Sequence, residues 1–234
     1  MDVQRLDKFI SSQLAGVSRK DARGMIKRGS VTVNDTTERF ADRKIDAEKD
    51  VVAVSGEVIG YKRYLYIMLN KPAGVVCATR DGLSETVLEL LPPDLRRDGL
   101  FPAGRLDKDT VGFVLITDDG ALAHRILSPK SHVDKEYFVR LRDDIPANAE
   151  DMFAEGMVLD GEKCLPAKLN RISARECELT LHEGKYHQIK RMFEVLGNEV
   201  VYLKRISIAG IKLDENLSEG QARELTIDEL DKLI

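Results

Sequence analysis

Hydrophobic positions follow a helical rhythm near the start of the chain and a shorter, strand-like rhythm after it. Leu6, Phe9, Ile10 and Leu14 recur at helical spacing and predict a first helix from about Val3 to Gln13, broken at Gly16. Ser18 followed by Asp21 reads as a short-acid form of a helix-start box, and Ala22, Met25 and Ile26 give the next apolar stripe, ended by Gly29. Val31-Thr32-Val33 before Asn34-Asp35 then predicts a short strand and turn, with Val51 to Val54 as its distant partner. Val58 to Arg63 reads as a short flexible linker, and Tyr64 to Leu69 as a strand. Asn70-Lys71-Pro72-Ala73-Gly74 is punctuated as a turn, followed by a strand over Val75 to Ala78. Residues 79–99 predict surface loop with a short helix through Val87 to Leu91, closed by Pro92-Pro93.

Further along, Phe113 to Thr117 has the look of a buried strand, and Asp118-Asp119-Gly120 turns into a helix from Ala121 to Leu127 that ends near Pro129. Alternation in Lys135 to Leu141 puts Lys135, Tyr137, Val139 and Leu141 on one sheet face. Ile189, Met192, Phe193 and Leu196 form a last helical face, with Gly197 as its cap and the loop Glu183 to Gln188 before it. The pattern predicts an α+β fold in two domains, a small helix-and-strand unit over 1–58 and a larger one over 61–234. The larger domain is expected to carry a mainly antiparallel, mixed sheet with flanking helices.

Composition narrows the classes. At 234 residues with 32% charged side chains, the chain can bury a core and hold one or two domains. Its longest apolar runs are too short to span a bilayer, and the start lacks the basic-then-apolar pattern of a secretory signal. Cys77, Cys164 and Cys177 are odd in number and widely spaced, and the four histidines are scattered. A cytoplasmic protein with buried thiols, no metal and no cofactor is expected. The net charge of −4 hides an asymmetry. Residues 1–30 hold seven Lys or Arg against three Asp, a balance of +4, and residues 214–234 hold seven acids against two bases, a balance of −5. The amino-terminal end suits a polyanion.

The densest chemistry lies in Gly104-Arg105-Leu106-Asp107-Lys108-Asp109-Thr110-Val111-Gly112, directly before the buried run. A carboxylate on a loop at a strand edge, beside Arg105 and Lys108, suits a nucleophile or an acid/base group. Taken alone, the segment fits equally well a tight turn in which Asp107 and Asp109 bond their own backbone. Gly-Arg-Leu-Asp followed by Asp-Thr and a second Gly resembles the catalytic signature of pseudouridine synthases of the ribosomal small-subunit type. Three more blocks in order resemble the same family: Asn70-Lys71-Pro72-Ala73-Gly74, Lys135-Glu136-Tyr137, and Tyr186-His187-Gln188-Ile189-Lys190-Arg191. Lys71 is read as a turn residue or a phosphate contact. At position 190 many family members carry Arg, and Lys cannot form the two-pronged pair that Arg makes with a carboxylate.

Arg19, Arg23 and Lys27 recur every four residues on one helical face, with Lys20 and Arg28 beside it. With Arg5-Leu6-Asp7-Lys8-Phe9 and Gly29 to Asn34 in register, residues 3–55 resemble the alpha-L, ribosomal-protein-S-four-like RNA-binding domain. No aromatic side chain interrupts the basic stripe, so phosphate contact is expected rather than base stacking.

The resemblance spans nearly the whole chain and implies site-specific isomerisation of uridine in small-subunit (16S) ribosomal RNA. It makes Asp107 the nucleophile, Lys190 the cation beside it, and Tyr137 the ring against the freed uracil. Ile189 would wall the base pocket, and Arg105, Arg191, Lys71, Arg19, Lys20, Arg23 and Lys27 are the substrate- or RNA-contacting candidates. The expected partner is ribosomal RNA or a small-subunit assembly intermediate, met by a monomer away from any membrane. Three alternatives stand beside this reading: a large-subunit target, a non-catalytic RNA-binding assembly factor, and a haloacid-dehalogenase-type phosphatase. The phosphatase pattern needs its Asp immediately after an apolar strand, whereas here the strand follows.

Overall fold

The computed structural model describes residues 2–128, 131 and 133–233. The backbone divides into two units: residues 1–65 with 91–100, and residues 66–90 with 101–234. Pro129, named above as a helix end, lies outside the described residues.

In the first unit, strand β1 (Val3–Arg5) leads directly into helix α1 (Leu6–Gln13), and α2 (Arg19–Arg28) follows. The predicted first helix therefore starts three residues late, because Val3–Arg5 pairs antiparallel with β4 (Lys44–Asp46). The helix-start box at Ser18 is realised in both directions, with the Ser18 hydroxyl accepting from the Asp21 N–H and the Asp21 carboxylate accepting from the Ser18 N–H. Gly29 ends α2 at φ +79°, a conformation that costs glycine nothing. Strands β2 (Val31–Val33), β3 (Thr36–Thr37), β5 (Val52–Val54) and β6 (Glu57–Val58) form a small antiparallel sheet. Asn34 and Asp35 both have positive φ in the β2–β3 turn, the geometry that matches hairpin twist. Leu6, Phe9, Ile10, Ala22 and Ile26 pack against Val31, Val33, Ile45 and Val52 as one core. The stretch read as a flexible linker belongs to that core. Ile59 and Tyr61 pack on it, and the Tyr61 hydroxyl donates to the Asp2 carboxylate.

The second unit is organised by a mixed sheet. Its main path runs β13 (Lys168–Arg171), β14 (Glu176–Leu181), β10 (Lys135–Leu141), β15 (Val200–Ile208), β9 (Val111–Thr117), β7 (Tyr66–Lys71), β17 (Ala222–Glu224). Short strands β8 (Phe101–Pro102) and β16 (Ile211–Lys212) pair off that path with β9 and β15. Among the described residues every pairing in this sheet is antiparallel except β15 with β9, so the α+β class with a mainly antiparallel, mixed sheet is the observed one. A separate hairpin joins β11 (Val158–Leu159) and β12 (Glu162–Lys163). Helices α3 (Gly120–Leu127), α4 (Ala149–Glu155), α5 (Gln188–Val195) and α6 (Ile227–Asp231) complete the unit. Asp119 caps α3 by accepting from the Ala121 and Leu122 N–H groups. All seven residues of β9 are buried, as expected for a strand covered on both faces. Two predicted elements are absent. Val75 to Ala78 makes a single bridge, Val76 to Thr86, in place of a strand, and Val87 to Leu91 forms turns in place of a helix.

Asp7 is the unexpected feature of the first unit. Its side chain is wholly buried at the start of α1 and accepts from Arg5 Nε at 3.0 Å, Arg19 Nη2 at 3.2 Å and Arg23 Nε at 2.8 Å. Burial opposes the charged carboxylate, but hydrogen bonds from Arg5, Arg23 and Arg19 overcome it and hold the group far below the usual carboxyl range. Because the folded value lies below the unfolded one, this stabilisation is complete above about pH 4 and is lost as pH falls below it. Asp7→Asn should cost about 2 kcal/mol at neutral pH, less than a fully buried pair because the guanidinium groups are half in water. In denaturant titrations the substitution should also remove part of the loss of stability seen below about pH 4.

Candidate active site

The signature segment is a loop between β8 and β9, and a buried ammonium fixes its shape. Lys71 ends β7 with its side chain inaccessible to solvent. Its Nζ donates to the carbonyls of Pro72 (3.0 Å), Asp107 (3.1 Å), Lys108 (3.3 Å) and Thr110 (2.8 Å). Desolvation pushes this ammonium below its ordinary value, against the pull of nearby Cys77, Asp109 and Asp107. The turn or phosphate-contact reading of Lys71 is therefore corrected: a strand-end group enclosed by four carbonyls has no face left for a phosphate. Around it, Gly74 N–H donates to Lys108 O at 2.8 Å, Thr110 N–H to Asp107 O at 3.1 Å, and Leu106 N–H to the Cys77 sulfur at 3.3 Å. The block Asn70 to Gly74 and the Asp107 loop are thus one structure.

Asp107 opens onto a cavity of about 540 Å³, the size of a small-molecule site. Arg105, Tyr137, Ile189 and Lys190 line it as well. Lys190 Nζ lies 3.4 Å from one Asp107 carboxylate oxygen, but its shorter bonds go to Asp109, at 2.6 and 2.8 Å. The Lys190 hydrogen bond lowers the Asp109 carboxyl from its ordinary value despite some desolvation. One ammonium therefore bridges two carboxylates of the loop, a use that suits a point charge better than a planar fork. Tyr137 and Ile189 are buried at 7% and 4% exposure, on the inward face of β10 and at the start of α5. Arg105 is exposed at the cavity edge.

Other sequence candidates lie elsewhere. Arg191 is absorbed in an ion pair with Asp160 and a bond to the Tyr186 carbonyl. Arg19 and Arg23 hold Asp7, whereas Lys20 and Lys27 are exposed on α2.

Three cavity residues were given no site role from the sequence, although His187 and Gln188 stand in one of the blocks quoted above. His187 caps α5 in the left-handed region (φ +48°) and brings its Nε2 to 3.5 Å from Asp107, with its ring stacked on Tyr186 at 3.8 Å. A non-glycine residue held in that conformation is worth attention. Gln188, 4% exposed, ties the loop by donating to Glu183 at 2.8 Å and accepting from the Lys185 N–H at 2.9 Å. Arg205 is 2% exposed on β15 and donates from Nε to the Phe113 carbonyl at 2.7 Å. Gly112 makes that placement possible. At φ +101°, a Cβ there would sit 2.3 Å from the Arg205 carbonyl oxygen.

The chain is similar to known proteins over nearly its whole length. Residues 65–195 match the RNA pseudouridylate synthase family, and residues 4–51 match the S4 domain. The chain is 44% identical over 231 residues to the uncharacterized RNA pseudouridine synthase YtzG of Bacillus subtilis, covering 97% of this chain and 96% of that protein. It is 46% identical over 233 residues to ribosomal small subunit pseudouridine synthase A of Vibrio vulnificus (98% and 99% covered). Against the Escherichia coli protein of the same name, identity is 44% over 232 residues (98% and 100% covered). A solved pseudouridylate synthase superposes with a TM-score of 0.70 at 41% identity, covering 99% of this chain and all of that one.

The Lys71 geometry makes a specific demand. Lys71→Met should slow turnover about a hundredfold by loosening the loop that carries Asp107. The salt dependence of RNA binding should stay unchanged, because no phosphate contact is removed; single-turnover rates and salt titrations read the two effects separately.

Proposed function

The chain belongs to the RNA pseudouridylate synthase family, and from that premise we propose that it converts one defined uridine of small-subunit (16S) ribosomal RNA to pseudouridine. The observation that carries the reading is Asp107 held beside Lys190 at the mouth of a cavity lined by Tyr137 and Ile189. The isomerisation breaks the C1′–N1 bond, turns the base and joins C1′ to C5. The proton leaves C5 and N1 gains one, so composition and oxidation state are unchanged. Asp107 serves as the nucleophile, as carboxylates do in glycosyl transfer, and the Lys190 charge offsets the desolvation of that carboxylate in a closed site. Tyr137 lies against the freed ring and assists removal of the C5 proton. Ile189 walls the base, and Arg105 at the rim meets a phosphate or the strand from which the uridine was extruded.

Extrusion of the target costs a few kcal/mol. Phosphate contacts from the exposed Lys20 and Lys27 of α2 offset part of it, which is the role we give to the first unit. The small-subunit target is supported by the names of the full-length relatives. In this reading the enzyme works in the cytoplasm as a monomer, on ribosomal RNA or on a small-subunit assembly intermediate.

Mapping pseudouridine in ribosomal RNA with and without the protein should show loss of a single small-subunit position; loss of a large-subunit position would move the target. Asp107→Asn should lower conversion of that uridine by at least about a thousandfold, and undiminished turnover would refute the assignment of Asp107. Replacing Lys20 and Lys27 together by Gln should reduce the slope of log affinity against log salt by about 1.4–1.8 if each meets one phosphate. An unchanged slope would remove this face of α2 from RNA binding.

A further inference from the structure

Two cations of the cavity have no part in the chemistry assigned to Asp107. Arg205 and Lys135, 2% and 7% exposed, line the same cavity. The sheet register explains why they meet. Tyr137 pairs with Arg205 across β10 and β15, and Lys135 precedes Tyr137 by two residues and so shares its face. Arg205 is secured from one side only, for Nη2 is buried without a hydrogen-bond partner. Lys135 Nζ reaches the Val133 carbonyl at 3.1 Å. Burial, then the neighbouring Arg205 charge, push the Lys135 ammonium below its ordinary value against the pull of Asp134. Among the described residues neither cation forms an ion pair. An idle buried guanidinium N–H is costly, and such cost is retained where a ligand completes the group.

Both groups only donate, so the atoms that complete them must be acceptors. Buried as they are, two positive charges also favour a group that becomes negative. The isomerisation supplies one. When C1′–N1 breaks, the electron pair stays with the base, and its charge is shared over N1, O2 and O4. We propose that Arg205 and Lys135 are catalytic residues that receive the carbonyl oxygens of the target uracil and hold the detached base as an anion beneath Tyr137. This inference rests on the pseudouridine synthase reading above. No proton passes to either cation. The base keeps its charge until C5 bonds to C1′ and releases the Asp107 carboxylate from it, after which C5 loses its proton and N1 takes one up. The same pair selects uracil, because cytosine presents an amino donor where uracil presents O4, and a donor would then face a donor.

Synthetic RNA with the mapped target as 2-thiouridine or 4-thiouridine replaces one oxygen by sulfur, a weaker acceptor, and tests this in the full-length protein. The wild-type single-turnover rate should fall roughly tenfold for at least one of the two replacements. Arg205→Gln should itself be about ten- to a hundredfold slower, with RNA affinity retained, and the thio replacement should then change its rate less than about twofold. Arg205→Lys should recover part of the rate, and Lys135→Met carries the same test if Arg205→Gln fails to fold. An equal thio effect in wild type and a folded variant overturns the proposal. So does a loss confined to affinity with a shallower salt slope, which would mark a phosphate site. Activity surviving in Asp107→Asn would instead strike the reading on which the inference rests.

Discussion

A single ammonium buried among carbonyl oxygens sets the geometry on which the candidate site depends. Lys71 Nζ gathers the carbonyls of residues 72, 107, 108 and 110 and so converts a charge-dense, glycine-bounded loop into a fixed platform. Ammonium gives hydrogen bonds and cannot accept them, which suits a loop that turns several carbonyls toward one point. An apolar side chain in its place would take a donor from all four, leaving the Asp107 and Lys108 carbonyls with their backbone partners alone. The loop backbone being held from beneath, the Asp107 and Asp109 carboxylates are free to face outward, where Lys190 meets both.

The sheet supplies the second constraint, because residues far apart in sequence meet only through its register. Gly112 pairs with Arg205 in the parallel junction of β9 and β15, and Arg205 pairs with Tyr137 on the other side of β15. Signature loop, tyrosine strand and buried arginine are therefore locked in sequence across three adjacent strands. A side chain at 112 would drive into the Arg205 backbone. The second glycine of the signature thus answers to strand packing, while Gly104, at φ +107°, answers to the turn.

Where periodicity or capping dictates an element, the sequence could be read directly. The helix-start box at Ser18, the alternating burial of Lys135–Leu141 and the apolar face of the last long helix all follow from local rules. Val3–Arg5 was hidden because three residues carry no measurable period, and their partner lies forty residues away. Asp7 and Lys71 were hidden for a different reason. A charge whose partners arrive from other segments looks like surface until burial is known. Arg205 did leave a signal. It sits with Leu203 and Ser207 on the inward face of an alternating strand, and a cation at an inward position calls for a partner. Residues 58–63 read as a linker because Ile59 and Tyr61 show their apolar role only against the assembled first core.

The cavity is polarised along its depth, and the polarity matches the direction in which charge would move. Asp109 is largely exposed and Asp107 about one-quarter exposed, so the anions stand at the mouth, where Lys190 and His187 attend them. Arg205 and Lys135, nearly sealed from water, form no ion pair among the described residues, the Asp134 carboxylate acting on Lys135 only through its charge. A nucleoside entering sugar-outward would have its anomeric carbon, where positive character develops, against the carboxylate end. Its departing base, where negative charge develops, would face the cationic floor. Fixed charges arranged this way need no reorganisation when the glycosidic bond breaks, and their low-dielectric surroundings magnify each contribution. The cost appears in the free protein as an unfilled guanidinium N–H. A site built only to grip RNA would have put those cations at the rim, within reach of phosphate.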